Sequence, residues 1–329
     1  MQKKGIFLNF LVKLFTVIIF TICSLLFLTV NISLGQEDVK LSGVHKYISE
    51  FKTNEEEYGL LNQPAGLRID ADGDIYVADT INSRVVVFNS FGGVKAVFGK
   101  AGDKDGELKA PMALAIDSKN EKVYVADSSN YRIQVFKLGG EFLSSIDLNK
   151  GIEEGVKKVR PIGIAVSSNG NIYVSDADNN YIRIYSPSGE FISKFGGFGA
   201  EDGKFCIPVG LFIDKKDKVY AVDMNNSRVQ IFDNQGKFIF KIGQLGDTKG
   251  NFGKPKDVAV DEKGFIYISD GANLVVQIFD KKGNLVDLVG AEKEADLQFA
   301  SPFGLAAHKG RLYVTDRWRN SIRVYEVKF

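Results

Sequence analysis

A unit of 47 to 50 residues occurs six times along this chain, and each copy begins with a proline. The intervals between successive prolines are 47, 50, 47, 47 and 47 residues. Each copy contains four short runs of β-branched and aromatic residues, separated by Asp, Asn and Gly, which predict four antiparallel strands. A fixed period of this length with four strands per unit predicts an all-β fold, a six-bladed β-propeller. The blades are predicted to start near Pro64, Pro111, Pro161, Pro208, Pro255 and Pro302.

The repeat resembles that of the NHL family of β-propellers, whose pattern is P-x-G-I-A-V-D, then I-Y-V-A-D, then N-x-R-I-Q-V-F. The segment D-I-Y-V-A-D-T-I-N-S-R-V-V-V-F at residues 74–88 matches this pattern closely, and the resemblance extends over residues 45–329. It implies a propeller and leaves the function open, because the fold hosts binding modules, RNA binders, sensor domains and a few enzymes.

The sixth copy ends after its third strand, which predicts that another segment completes its sheet. Phe51 stands 13 residues before Pro64, the spacing at which the fourth strand ends in other copies. We therefore expect residues 45–51 to form the fourth strand of blade six. Such ring closure removes the exposed sheet edges that an open stack of blades would present.

The first 35 residues differ in composition from the repeats. Three lysines precede an uncharged apolar run at residues 14–30, and small residues at positions 33 and 35 fit a cleavage site. Residues 1–35 are predicted to be a signal peptide or, if uncleaved, a helical N-terminal membrane anchor, and residues 36–44 a linker. The protein is expected to be exported, periplasmic or extracellular, with any membrane contact through this N-terminal segment.

Charge and cysteine content narrow the class of partner. Loss of the leader would remove 3 of the 42 basic residues and leave 39 against 41 acidic ones, a net charge of −2. This argues against nucleic acid as a partner, since phosphate binding needs a surplus of Lys and Arg. Cys206 is the one cysteine beyond the leader, so no disulfide framework is predicted. We expect a monomeric propeller.

Features that recur in every copy are predicted to build the scaffold. An aspartate follows the tyrosine of the second strand in all six copies, and in five an asparagine stands three residues later. This pairing favours side-chain hydrogen bonds within a turn over a ring of metal ligands. The arginine five residues after the aspartate is predicted to pair with acids of neighbouring blades. Glycines for the turns between strands three and four are predicted at positions 92, 139, 189, 236 and 283.

Function is sought where one copy departs from the others. Trp318 lies between two arginines in blade six, and it either stacks on a ligand or packs on the neighbouring blade. A lysine and an aspartate follow the proline of blade five, where other blades carry an apolar residue and a small one. Arg68 and Phe212 replace alanine in first strands, and Arg68 either binds an anion or pairs with an acid such as Asp257. All are expected at one end of the propeller. The predicted ligand-binding residues are Arg68, Tyr131, Tyr181, Lys256, Asp257, Arg317, Trp318 and Arg319.

The sequence carries no recognisable catalytic constellation. The chain has two histidines, His45 and His308, too few for the zinc sites of amidating lyases of similar shape. Gluconolactonase-like hydrolases hold a metal with a glutamate, and no first strand here contains one. We therefore expect no cofactor, no metal and no catalytic residue. The hypothesis is a non-catalytic binding or scaffold module of the cell envelope that engages a protein, peptide or glycan ligand through one face. The alternative is a metal-dependent, lactonase-like hydrolase with its site at the central channel.

Overall fold

Six four-stranded antiparallel sheets follow one another around a ring in the computed structural model of the chain. The structure describes residues 43–150, 152, 155–291 and 296–329. This arrangement confirms the predicted six-bladed β-propeller. The strands are β1 His45–Phe51, β2 Pro64–Ile69, β3 Ile75–Asp79, β4 Arg84–Phe88, β5 Val94–Phe98, β6 Pro111–Asp117, β7 Lys122–Asp127, β8 Arg132–Lys137, β9 Phe142–Asp147, β10 Pro161–Val166, β11 Ile172–Asp176, β12 Tyr181–Tyr185, β13 Phe191–Gly196, β14 Pro208–Ile213, β15 Val219–Asp223, β16 Arg228–Phe232, β17 Phe238–Ile242, β18 Pro255–Val260, β19 Ile266–Asp270, β20 Val275–Phe279, β21 Leu285–Val289, β22 Pro302–His308, β23 Arg311–Asp316 and β24 Ser321–Val327.

The first strand completes the last blade, as the sequence predicts. β1 pairs antiparallel with β24, with His45 opposite Val327 and Phe51 opposite Ile322. The sheet order in blade six is therefore β1-β24-β23-β22. Because the first and last described strands pair in one sheet, blade six has four strands like the others and the ring is closed.

The six innermost strands run parallel to the axis side by side, and each begins at its proline. We call the end of the ring where they begin the proline end, and the other the opposite end. Loops that lead into each blade and turns between its second and third strands lie at the proline end. The remaining turns lie at the opposite end. Neighbouring inner strands approach closely: a Cβ on Gly163 would lie 2.0 Å from the carbonyl oxygen of Val209 in the next blade. Glycine is required there for space.

The core lies between neighbouring sheets. The aromatic residue that closes each third strand is buried in every blade, and so is the aliphatic or aromatic residue that precedes each proline by two or three positions. One such interface joins blades one and two through Tyr76, Phe98, Leu108 and Phe136. Each of these contacts joins adjacent blades, so burial of apolar area stabilises the ring as a whole.

The recurring aspartates are structural, as predicted. In blade four the Asp223 carboxylate accepts hydrogen bonds from the Cys206 backbone N–H at 2.7 Å and from Asn226 Nδ2 at 2.8 Å. Arg228 Nε donates to the same carboxylate at 2.8 Å. These arginines were expected to pair with acids between neighbouring blades, but each pairs first with the aspartate of its own blade, which Arg228 faces in the β15–β16 ladder. Blades one and two repeat the arrangement. Among the described residues, Arg228 alone of these arginines also reaches an acid in the connection from the preceding blade, Asp202, at 3.4 Å.

One predicted turn glycine is displaced by one residue. In blade two the residue with positive φ between strands three and four is Gly140, at +91°, and not Gly139. Its backbone N–H donates to the Lys137 carbonyl. Gly140 stands four residues after the closing aromatic Phe136, as Gly92 does after Phe88, so the turn needs the glycine at that position.

A single α-helical turn, α1 at Glu55–Tyr58, leads from β1 into blade one. Within the residues that the structure describes, no helix is long and apolar enough to cross a membrane. The predicted leader at residues 1–35 and most of the linker lie outside the described residues.

Candidate functional site

Arg68 fills the centre of the ring. Its Nη1 donates to Asp257 Oδ2 at 3.1 Å and to the Leu305 carbonyl at 3.2 Å, and its Nη2 donates to the Leu211 carbonyl at 2.7 Å. These acceptors belong to blades five, six and four, so one side chain from blade one crosses the channel. The Asp257 carboxylate also accepts the Leu305 backbone N–H at 3.0 Å. The sequence leaves open whether Arg68 binds an anion or pairs with an acid. In the structure it pairs with Asp257.

Lys256 and Arg317 lie beside one aromatic ring at the proline end. The Lys256 ammonium nitrogen is 6.0 Å and the Arg317 guanidinium carbon 4.9 Å from the centre of the Phe303 ring. Burial, together with the positive charges of Lys254 and Arg317, lowers the pKa of the Lys256 ammonium to about 8. Burial also lowers the pKa of Arg317, whose Nη2 donates to Gln63 Oε1 at 3.0 Å. Two cations therefore share a partly desolvated position next to the channel.

Trp318 is exposed and does not pack into the core. Its exposed fraction is 74%, the largest of any aromatic residue at the proline end after Phe198. The adjacent Arg319 lies against its own turn, with Nε 3.6 Å from Asp316 Oδ2 and Nη2 donating to the Gln298 carbonyl at 3.2 Å. An indole in water beside two guanidinium groups is available for contact with a partner.

Tyr131 and Tyr181 lie at the proline end of blades two and three. The Lys158 ammonium lies 5.5 Å from the Tyr131 ring centre, and the Lys194 ammonium 4.8 Å from that of Tyr181. Blade three lies across the ring from blade six, so Tyr181 and Trp318 stand on opposite sides of the channel. The eight predicted residues thus form separate groups and not one patch.

Phe212 does not belong to the proline end. From the sequence, Phe212 was expected at the same end as Trp318. Its side chain instead lines a cavity at the opposite end. Arg68 lines this cavity and also a small recess of about 10 Å³ at the proline end. The fifth position of an inner strand lies deep in the channel, which explains why a residue there can reach either end.

Six large apolar side chains are exposed at the proline end, and sequence reasoning singled out Trp318 among them but missed the other five. They belong to blades one, five and six and to the loops entering blades one, four and five, and each is between 38% and 76% exposed. Phe198 and Leu245 occupy the same position in two such loops and are both 76% exposed. Of the five that were missed, Phe198 alone carried a sequence signal, because glycines flank it on both sides in a loop. The set consists of Leu60, Ile81, Phe198, Leu245, Leu274 and Trp318.

Sequence reasoning also missed a cavity that opens at the opposite end. Its volume is about 540 Å³, and it extends from the axis outward between blades four and five. Lysines of the turn D-K-K-D-K at residues 214–218 line it. That turn carries three lysines, more than any equivalent turn, and this was the available signal.

Metal binding has no evident donor set. Among the residues that the structure describes, no three His, Cys, Asp or Glu side chains group together in a way that could hold a metal ion. The Asp257 carboxylate, which meets Arg68 across the channel, accepts hydrogen bonds from Arg68 and from a backbone N–H.

Two family descriptions match the chain over successive blades. The NHL repeat matches residues 61–88, 111–136 and 159–185, which are parts of blades one to three. The family described as 6-bladed beta-propeller matches residues 209–284. The chain carries NHL repeats and folds as a six-bladed β-propeller.

Known proteins similar to this NHL-repeat propeller match only part of it. Protein brain tumor of Drosophila melanogaster is 33% identical over 86 residues, 26% of this chain and 8% of that protein. Human NHL repeat-containing protein 3 is 34% identical over 103 residues, 30% of this chain and 29% of that protein. The chain therefore spans less than a third of the length of either relative.

Solved structures with the same fold include an enzyme. A gluconolactonase from Xanthomonas campestris aligns with a TM-score of 0.59 and 14% identity, over 86% of this chain and 95% of that one. Identity this low shows a common fold only, since one propeller fold supports unrelated functions.

Proposed function

We propose that this NHL-repeat propeller is a non-catalytic binding module that docks a protein partner at its proline end. The observation that carries the proposal is the group of six large apolar side chains exposed at that end, with Trp318 among them. Exposed apolar side chains that gather on one surface of a soluble protein mark an interaction site, and these six occupy one end of blades four, five, six and one, which follow one another around the ring.

The polar residues around this group suit a protein interface. Arg317, Trp318 and Arg319 are consecutive, and Trp and Arg are the residue types that dominate binding energy at protein interfaces. The Arg317 guanidinium is already partly desolvated over the Phe303 ring, so little further side-chain freedom would be lost when a partner covers it. A peptide or glycan ligand would use fewer of the apolar groups, which are spread over several blades.

The position of the module at the cell envelope is part of the proposal. It follows from the predicted leader at residues 1–35, cleaved or retained as an anchor at residues 14–30. The partner would then be a protein of the periplasm or the cell exterior, and the propeller itself would be monomeric.

A capture experiment with matched variants tests the docking surface. The full chain is used as bait against the envelope fraction of its source organism, beside the double variant Trp318→Ala, Leu274→Ala. The control is Phe91→Ala, which removes an aromatic side chain that is 89% exposed at the opposite end. We expect a protein that the full chain and the control retain and the double variant loses, with unchanged melting temperatures. Equal retention by all three baits would contradict the proposal.

The alternative of a metal-dependent hydrolase makes a different prediction. It requires a divalent ion bound stoichiometrically near the channel, with Asp257 as a ligand. The Arg68 guanidinium already binds that carboxylate. Its positive charge would repel a metal ion placed at the same oxygen. Elemental analysis of the purified full chain distinguishes the two functions, since a tightly bound divalent ion at one equivalent would favour the hydrolase.

A further inference from the structure

We infer that the cavity at the opposite end is a binding site for a small organic anion with a ring or short apolar body. The site is separate from the docking surface at the proline end, and nothing in the proposed function requires it. Its volume of about 540 Å³ is that of a typical small-molecule pocket.

The residues that break the repeat converge on this cavity. Arg68 and Phe212 stand at positions that are alanine in the other four blades. His308 stands where four blades carry aspartate and one carries serine. All three line the cavity, from blades one, four and six. Arg68 also has a structural role through its pairing with Asp257. A scaffold built from one repeat needs neither Phe212 nor His308, so their meeting at one cavity points to a ligand.

Positive charge exceeds negative charge on the cavity wall. Six arginines or lysines and three carboxylates line it. The ammonium groups of Lys215, Lys216, Lys218 and Lys281 form no ion pair within the described part of the chain. A partly enclosed surface with this surplus attracts anions and raises their local concentration.

Two of the three carboxylates are directed away from a ligand by the turns that they cap. Asp214 accepts the backbone N–H groups of Lys216 and Lys218 and the hydroxyl of Tyr220. Asp261 makes the same three kinds of hydrogen bond, including one from the Tyr267 hydroxyl. Their oxygens are therefore occupied. Lys263 on the Asp261 turn donates to the Phe329 carbonyl at 2.9 Å, while the ammonium groups on the Asp214 turn remain available to donate to an anion.

The inner wall supplies apolar contact. Phe212 is half-buried and lies edge-on to Tyr220, with ring centres 6.3 Å apart. Phe240 and Val260 continue this surface outward between blades four and five. A cavity wall that combines these apolar side chains with lysine ammonium groups fits a molecule that has an anionic group at one end and a ring at the other.

Calorimetric titration of the full chain with phenyl phosphate tests the inference, with neutral phenyl glucoside as the comparison. We expect saturable binding of phenyl phosphate that weakens as salt is added, and binding of the glucoside at least about tenfold weaker. The variant Lys218→Gln, Lys281→Gln should lose about tenfold in affinity for phenyl phosphate. Phe212→Ala restores the residue that four other blades carry, so it should fold normally and lose about fivefold.

The matched control is Lys237→Gln, Lys282→Gln, which removes the same charge from exposed turns at the same end outside the cavity. Its affinity should stay within about twofold of the unchanged chain. Three results would overturn the inference: no saturable binding of phenyl phosphate, equal binding of the neutral glucoside, or equal losses in the cavity and control variants. Trp318→Ala should leave this binding unchanged, so the two sites succeed or fail separately.

Discussion

The guanidinium of Arg68 in blade one and the carboxylate of Asp257 in blade five meet across the central channel, with Nη1 and Oδ2 3.1 Å apart. Both side chains are more than four-fifths buried. Because the same guanidinium also binds carbonyl groups of blades four and six, it closes the channel between its two ends. The two ends can therefore carry separate binding sites.

Loss of one partner of this buried pair should destabilise the propeller. Arg68→Ala leaves the Asp257 carboxylate without its counter-charge, and we expect a cost of about 3 kcal/mol in the free energy of unfolding. Asp257→Gly should cost a similar amount, because it leaves the arginine unpaired. Urea unfolding measures both.

The double variant Arg68→Ala, Asp257→Gly supplies the control for this pair. It installs the residues that other blades carry at these positions, so its stability should return to within about 1–2 kcal/mol of the original. If the stability loss of the double variant equals the sum of the losses of the two single variants, the ion pair contributes no coupling energy.

Phe51 should stabilise the ring through closure of blade six. It is 6% exposed and packs against Phe88 and Tyr313, with ring centres 6.3 Å away in each case. Phe51→Ala should lower the free energy of unfolding by about 3–5 kcal/mol, since it leaves a cavity between blades. Phe91→Ala, at a side chain 89% exposed, should change it by less than about 0.5 kcal/mol. Similar effects of the two variants in urea unfolding would contradict the importance of closure.

Asp287 should make ring closure sensitive to acid. Burial alone would raise its pKa, but hydrogen bonds from His45, the Leu288 N–H and the Val44 N–H hold the pKa below its usual value. A lowered pKa in the folded state means that the stabilisation is complete above about pH 4 and is lost as the pH falls below it. Asp287→Asn should cost about 1–3 kcal/mol at pH 7 and progressively less in acid. Unfolding measured from pH 7 to pH 2 should show the two stability curves converge; parallel curves would refute this role.

Lys256 should titrate near neutral pH. Its pKa of about 8 arises from burial and from the charges of Lys254 and Arg317. NMR of the reductively methylated protein should show one lysine that titrates near this value, and Arg317→Gln should raise its pKa by removing a like charge. Because the folded state binds fewer protons than the unfolded chain between about pH 8 and pH 10, stability should rise with pH in that range. A titration near pH 10.5 for all lysines would contradict the burial of Lys256.

The recurring residues made the scaffold predictable. All copies contain the aspartate equivalent to Asp223, the aromatic residue that closes the third strand and the proline that begins the inner strand. In each copy the turn residues and the strand pattern therefore predict the same blade. The error with the arginine five residues later arose because a sequence period gives the spacing along the chain but not which strand faces which. Gly140 was missed by one residue for a related reason, since two adjacent glycines compete for one turn position.

The candidate sites were less predictable, because binding residues come from different blades. Trp318 could be singled out as a departure from the repeat, but its exposure depends on the neighbouring blade. Leu245 and Phe198 look like ordinary apolar residues in the sequence, and only the folded loops show that they face solvent. Phe212 was assigned to the wrong end because it is the fifth residue of an inner strand and so lies deep in the channel, away from the proline at which the strand begins.

The sequence by itself determined the blade count, the strands of each blade and the closing role of residues 45–51, since each follows from a local pattern repeated at a fixed interval. The tertiary structure decided which departures from that pattern meet. Arg68 and Asp257 are 189 positions apart in the chain yet share a hydrogen bond. Lys218 and Lys281 flank one cavity for the same reason: neighbouring blades bring distant turns together, and that proximity depends on how six sheets pack around an axis.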